Sequence, residues 1–308
     1  MNPLRSLVLA AAGNDTIRNL VATAPLSRSV LRRFVAGETT ADAVSVTERL
    51  VAANLDVTLD YLGEDSTDRA LARTTVEAYL SLLADLAAGG LTEHAEISLR
   101  LSSVGQRLDE SLALDNAAEI LAAADRVGTT VTLDLADHTS TDSTLGILAG
   151  LRKDFPKTGA VLPANLRRTE ADCRDLAGAG SRVRLCGGGY AEPESVAFTD
   201  PHEVDLSYVR CANALLGGAG YPMFATHDPR LIRVLDERAR WYDRKPGSFE
   251  FQLRYGIRPD EQRRLASDGA KVRVQVPYGP RGYAYLMRRL VERPTDLGFF
   301  LRALATKS

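Results

Sequence analysis

Short apolar runs recur along the chain, each followed by a stretch with helical spacing. The runs are Val57–Leu59, Ile97–Leu101, Thr130–Leu135, Ala160–Leu162, Val183–Cys186, Met223–Ala225, Phe249–Leu253 and Val272–Val276. Their starts lie roughly 25 to 40 residues apart, the length of one strand–helix unit. Helical patterns fill the gaps, among them Thr74–Ala88, Asp115–Ala124, Thr144–Arg152, Glu170–Ala177 and Arg230–Ala239. Residues 1 to about 55 also read as helical. Asp15–Ala24 and Leu26–Ala36 are broken near Pro25 and Gly37, and Thr39-Thr40-Ala41-Asp42 can cap a longer helix running to Asn54. Eight alternations predict an α/β fold, a (βα)8 TIM-type barrel over residues 56–308, with an N-terminal helical segment, 1–55, packed on it. A doubly wound sheet is the alternative.

The barrel expectation locates the chemistry. Active sites of such barrels collect at the C-terminal ends of the strands. That rule selects Arg100, Asp134, Pro163, Arg184, Gly187, Thr226, Arg254 and Gln275. Arg184 lies inside Val183-Arg184-Leu185-Cys186, where a guanidinium needs an anionic or hydrogen-bonding partner. Asp134 could cap the loop that follows it. His227, between Thr226 and Asp228, suits acid–base chemistry or a structural hydrogen bond, and no G-x-S-x-G motif accompanies it to suggest a hydrolase triad. Gly187-Gly188-Gly189 lacks both G-x-G-x-x-G and P-loop spacing. Near the C-terminus, helical geometry puts Tyr285, Arg288, Arg289 and Glu292 on one side and Leu286, Met287 and Leu290 on the other. Two adjacent guanidiniums suit a carboxylate, and Glu292 can hold them; a solvated face of ion pairs is the plainer reading.

Composition adds mostly exclusions. A length of 308 residues and 45% hydrophobic content fit one large domain, and a net charge of −2 gives no sign of nucleic-acid binding. Cys173, Cys186 and Cys211 form no CxxC and read as buried thiols in a reducing cytoplasm; the four histidines show no metal-ligand spacing, so no metal is expected. The apolar run Leu7–Ala12 is short and reads as a helix start rather than a signal peptide. No segment is long enough to span a bilayer, which fits a cytoplasmic protein and leaves room for peripheral contact with the inner membrane face.

Several motifs resemble one family. Val57-Thr58-Leu59-Asp60-Tyr61-Leu62-Gly63-Glu64, Phe224-Ala225-Thr226-His227-Asp228, Phe249-Glu250-Phe251-Gln252, Val276-Pro277-Tyr278-Gly279 and Tyr285-x-x-Arg288-Arg289-x-x-Glu292 are similar to segments of the proline dehydrogenases, from about Asp42 to Leu304. The resemblance implies an FAD-containing (βα)8 barrel that oxidises the C–N bond of an amino acid by hydride transfer to flavin N5, with quinone or oxygen as electron acceptor. It implies that Arg288 and Arg289 clamp the substrate carboxylate with Tyr285 and Glu292 in support, that Arg100 and Asp134 order the pocket, and that Arg184 lies by the reactive flavin nitrogen. Thr226, His227, Gln252, Pro163 and Gly187–Gly189 fall on cofactor-binding positions.

Departures from the family pattern gather in the pocket. Arg100 stands for a lysine, Pro163 for a glutamine, Gly187 for a lysine, Arg254 for a leucine and Gln275 for a tyrosine, and Asp134-Leu135-Ala136-Asp137 stands for Asp-Met-Glu-Asp. A relocated cation suggests a modified proline-like substrate with an extra polar or anionic group, so Arg254 and Gln275 join the substrate-binding set. The alternative is a non-redox barrel on the same scaffold, binding a ligand without flavin or performing acid–base catalysis.

Overall fold

The computed structural model describes residues 31–63, 65–134 and 137–286. The eight strands are β1 (Asp56–Tyr61), β2 (Ala95–Arg100), β3 (Thr130–Asp134), β4 (Gly159–Pro163), β5 (Arg182–Cys186), β6 (Tyr221–Ala225), β7 (Glu250–Arg254) and β8 (Val272–Tyr278). They pair in parallel in sequence order, and β8 returns to β1 to close the barrel. Helix α1 (Thr40–Ala52) precedes β1; α2 (Arg69–Ala88), α3 (Glu110–Arg126), α4 (Thr141–Leu151), α5 (Thr169–Asp175), α6 (Pro201–Gly217), α7 (Pro229–Trp241) and α8 (Pro259–Ser267) each follow a strand. Residues 282–286 begin a further helical turn after β8. No helix of the described residues is long and apolar enough to cross a membrane.

Helix starts follow from local chemistry. Thr39 and Asp42 form a reciprocal capping box at α1, and the Asp68, Asp109, Asp200 and Asp228 side chains accept backbone N–H groups at α2, α3, α6 and α7. Pro201, Pro229 and Pro259 open α6, α7 and α8, where a missing N–H is harmless. Helix α1 packs against β1, β8 and α2.

Each strand alternates between two interiors. The outward row, with Val57, Leu59, Ile97, Leu99, Leu133, Leu185, Phe224, Phe251, Val274 and Val276, joins helix residues such as Leu82, Leu86, Ile120, Tyr208 and Leu235 in one apolar core. The inward row is largely polar, with Val161 and Met223 the apolar neighbours of Arg184, unlike the aliphatic filling usual in such barrels. Glu96, wholly buried, accepts from Arg184 at 2.9 Å and pairs with Arg182; Arg273 lies 3.9 Å away. Arg273 in turn donates to Glu250 Oε1 at 2.7 Å and to Asp56 Oδ2 at 3.2 Å. Burial pushes the Glu96 carboxyl up, and the guanidiniums of Arg182, Arg273 and Arg184 more than reverse this, lowering its pKa to about 2.

Two outcomes follow. Replacing Glu96 by Gln strips buried guanidiniums of their anion and is expected to cost about 3–5 kcal/mol of unfolding free energy in chemical denaturation. A loss below about 1 kcal/mol would contradict this account of the interior. The folded pKa of Glu96 is depressed from its ordinary 4.5 to about 2, so its contribution is complete above about pH 4.5 and is lost as pH falls toward 2. An acid-unfolding curve should therefore descend below pH 4.5 and be shallower in Glu96→Gln; superimposable curves would exclude the carboxylate as its source.

Candidate active site

At the C-terminal end of the barrel the burial of the inward row gives way. Arg100, Asp134, Pro163, Cys186, Ala225, Arg254 and Gln275 are each half-exposed on strands that are otherwise mostly buried. Asp60 completes the ring at β1 and is only 4% exposed. The ring divides into two sectors. Strands β7, β8, β1, β2 and β3 contribute Arg254, Gln275, Asp60, Arg100 and Asp134, all polar. Strands β4, β5 and β6 contribute Pro163, Cys186 and Ala225, which are small and uncharged.

In the polar sector, Arg100 and Asp134 are register partners on β2 and β3. Burial works against the Arg100 charge, and the nearby carboxylates of Asp60 and Asp134 outweigh it, so its pKa lies above the ordinary guanidinium value. Arg254 and Gln275 are register partners on β7 and β8. Tyr255 N–H donates to the Gln275 carbonyl at 2.9 Å, and Gln262 Nε2 donates to the Arg254 carbonyl at 2.9 Å, which fixes both strand ends. Tyr285 lies half-exposed in the turn after β8, and its N–H donates to the Arg281 carbonyl at 2.9 Å. Leu286 is buried with Phe34 and Ile257. Arg288, Arg289 and Glu292 lie outside the described residues.

In the uncharged sector the loop after β5 runs past the mouth. A Cβ on Gly187 or Gly189 would meet nothing within 4 Å. Gly188 has φ +112°, and a Cβ there would come within 2.4 Å of Asn165 Oδ1, so its glycine is required. Ala164 N–H donates to the Cys186 carbonyl at 2.7 Å. Farther along, Glu192 accepts from the His138 N–H at 3.0 Å and meets the His138 ring Nδ1, joining the loops after β3 and β5. Arg107 spans Asp65 at 3.5 Å and Asp137 at 3.8 Å, joining the loops after β1 and β3. After β6, Thr226 and His227 are half-exposed; Thr226 Oγ1 accepts the Asp228 N–H at 3.2 Å, and Arg258 Nη1 donates to the His227 carbonyl at 2.6 Å. Asp228 itself caps α7.

Two sequence-selected residues lie below the mouth. Gln252 is 3% exposed, and its Nε2 donates to Glu250 Oε1 at 2.6 Å. Arg184 is 3% exposed and sends its terminal nitrogens across the barrel to Ser98 Oγ at 3.0 Å, Thr58 Oγ1 at 3.4 Å and Glu96. Its Nε has no hydrogen-bond partner among the described residues. Cys173 and Cys211 are buried thiols, but Cys186 is half-exposed, because it is the inward residue that ends β5. The sequence reading had grouped all three as buried. It also passed over Asp60, Glu96 and the His138–Glu192 link. Period-two alternation within Asp56–Tyr61 and Ala95–Arg100 carries the signal for the first two; the third depends on two loops 54 residues apart.

Comparison with known proteins agrees with this architecture. The sequence model of the proline dehydrogenase family matches residues 43–300. Proline dehydrogenase 1 of Bacillus subtilis is 35% identical over 304 residues, 99% of this chain and 100% of its own. Proline dehydrogenase of Deinococcus radiodurans is 35% identical over 281 residues, 90% of each chain. Among solved structures, the proline utilization A protein of Bdellovibrio bacteriovorus, inactivated by N-propargylglycine, superposes with a TM-score of 0.80 at 22% identity, over 86% of this chain and 33% of that one. The chain thus spans about a third of that larger protein, and the likeness shows a shared fold. With a barrel mouth of this kind and relatives matched end to end, the chain belongs to the proline dehydrogenase family and is an oxidoreductase acting on a CH–NH donor.

Proposed function

We propose that this chain is an FAD-dependent dehydrogenase that oxidises the C–N bond of proline or, in preference, of a modified proline-like amino acid. The observation that carries the reading is the division of the mouth into an uncharged sector over β4–β6 and a charged one over β7–β3. A large planar cofactor needs close, uncharged walls, whereas a zwitterionic amino acid needs both signs of charge beside it. The residues present fit FAD. Gly187 and Gly189 leave open space beside the mouth, and the buried Nε of Arg184 retains a donor. Thr226, His227, Pro163 and Gly187–Gly189 would hold the cofactor, with Gln252 and Arg184 acting from the layer beneath.

The chemistry FAD supplies when bound is acceptance of a hydride from the carbon attached to nitrogen. This chain's own residues do the rest. Arg288 and Arg289 would take the α-carboxylate, supported by Tyr285 and Glu292. Asp134 and Asp60 would place negative charge beside the substrate nitrogen, with the Arg100 guanidinium between them. The Arg107 and His138–Glu192 links hold the loops around the mouth and limit water. Quinone or oxygen would take the electrons onward, and quinone use would suit contact with a membrane surface.

The visible spectrum of FAD-supplemented protein during anaerobic addition of proline tests the reading. Bleaching of the bound-flavin band near ~450 nm is expected, slowly for proline and faster for a more polar analogue. Retained flavin that no proline-like amino acid bleaches would remove the proposed substrate class, and a protein that retains no flavin would favour the non-redox barrel. Gly187→Lys gives a second check. The new side chain enters open space, so thermal stability should be unchanged, while flavin affinity should rise by about tenfold, or roughly 1.4 kcal/mol. Equal affinities would argue that the uncharged sector is not the cofactor's.

A further inference from the structure

We infer that Phe34, far in sequence from the residues that would meet the substrate carboxylate, is a positioning residue for them. With Ile257 it seats Leu286, and so fixes the turn that carries Tyr285. This rests on the dehydrogenase reading above, which puts Tyr285 in support of the carboxylate site.

The argument starts from the path of residues 31–37. They run along the C-terminal ends of β7 and β8. Ala36 N–H donates to the Pro277 carbonyl at 2.9 Å, and Gly279 N–H donates to the Gly37 carbonyl at 2.8 Å, so the segment is bonded to the end of β8. On its other side lies the loop after β7. Gly256 has φ +75°, and a Cβ there would collide with the Arg33 carbonyl, so backbone meets backbone at that point. Beyond Gly37 the chain enters α1, which is held by its capping box and by the Thr40 hydroxyl donating to Asp85 Oδ2 at 2.6 Å. The segment is therefore tied down as a strap beside the turn that follows β8.

Its one large buried apolar side chain then matters. Phe34, Ile257 and Leu286 are buried together, with Leu31 against them, as a cluster separate from the main core. One member comes from the strap, one from the loop after β7 and one from the turn after β8. Ile257 is fixed by its own backbone: its N–H donates to the Arg254 carbonyl at 3.1 Å, and its carbonyl accepts from Gln262 Nε2 at 2.8 Å. Gly282, at the start of the turn, lies under Val35, where a Cβ would stand 3.0 Å from Val35 Cγ1. The first turn of a helix owes its placement mainly to tertiary packing of its apolar residues. Neighbouring helical residues project about 100° apart, so seating Leu286 sets the rotation of the turn and gives Tyr285 one bearing. Without the Phe34 ring, Leu286 loses one wall of its seat and the turn gains freedom to rotate. A shift of about 1 Å in a binding group can cost about a hundredfold in function.

Phe34→Ala in FAD-supplemented protein tests this without turnover. Tetrahydrofuran-2-carboxylate, with a ring oxygen in place of the nitrogen, should bind the variant about tenfold more weakly than wild type in calorimetry, with FAD affinity unchanged within about twofold. Amide hydrogen exchange over residues 281–286 should quicken by about tenfold, while that of β7 stays as it was. Phe34→Leu, which refills most of the seat, should restore both readings. Ile232→Ala, which thins the main core beneath α7, should lower the melting temperature and leave both readings at wild-type values. Unchanged affinity in Phe34→Ala, with or without faster exchange, would overturn the inference, as would an equal loss in Ile232→Ala or a wild-type protein that binds no analogue. Analogue binding that depends on Phe34, beside a flavin that no amino acid reduces, would uphold the inference and sink the dehydrogenase reading.

Discussion

The carboxylate of Glu96, held among Arg182, Arg184 and Arg273, is the constraint on which the barrel depends. A guanidinium cannot be buried in a strand unless an anion meets it, and a carboxylate cannot be buried without donors. The chain satisfies both demands by placing ions in the inward rows of β1, β2, β5, β7 and β8. Asp56, Glu96 and Glu250 occupy β1, β2 and β7, and Arg184 and Arg273 occupy β5 and β8. Because these partners come from strands far apart in sequence, they are satisfied together only when the sheet closes. An apolar filling would pack in many registers, whereas this one tolerates few.

The same network sets the level of the active site. Glu250 holds Gln252 and Arg273, and Glu96 holds Arg184, so the layer beneath the mouth is committed to itself. Chemistry is left to the layer above, where strand ends meet loops and exposure rises. There the residues separate by charge, small and neutral on β4–β6, polar on the remaining five strands. That separation gives a single opening an uncharged wall and a polar wall that carries both signs of charge. The loops are joined in the same spirit, by Arg107 on one side and by His138 with Glu192 on the other.

Much of this was legible in the chain. All eight strands were readable because the outward row of each is a run of aliphatic and aromatic residues, and Thr39 and Asp42 announced α1. Several strand-end residues, Arg100, Asp134, Pro163, Arg254 and Gln275, were found by combining strand position with the barrel rule. Depth and partnership were harder to read. Gln252 and Arg254 share a row, and nothing local says that one lies beneath the mouth and the other in it. The partner of Arg184 lies 88 residues away on a strand that is not its neighbour, so sequence supplied only the need for an anion. The first 30 residues and the Arg288–Glu292 segment lie outside the described residues, and the helices read there stand as expectations.

The arginine at position 100 illustrates how substitution and architecture interact. A lysine would place one compact charge between Asp60 and Asp134, free to swing to either. A guanidinium is larger and planar, and it loses less of its solvation on burial. Held by two carboxylates and opposed by burial, it keeps its proton under all ordinary conditions. It therefore acts as a fixed positive element rather than a proton carrier. Around the mouth, Arg100 on β2 stands between Asp60 on β1 and Asp134 on β3, and Arg254 ends β7, so both signs of charge are present in the polar sector.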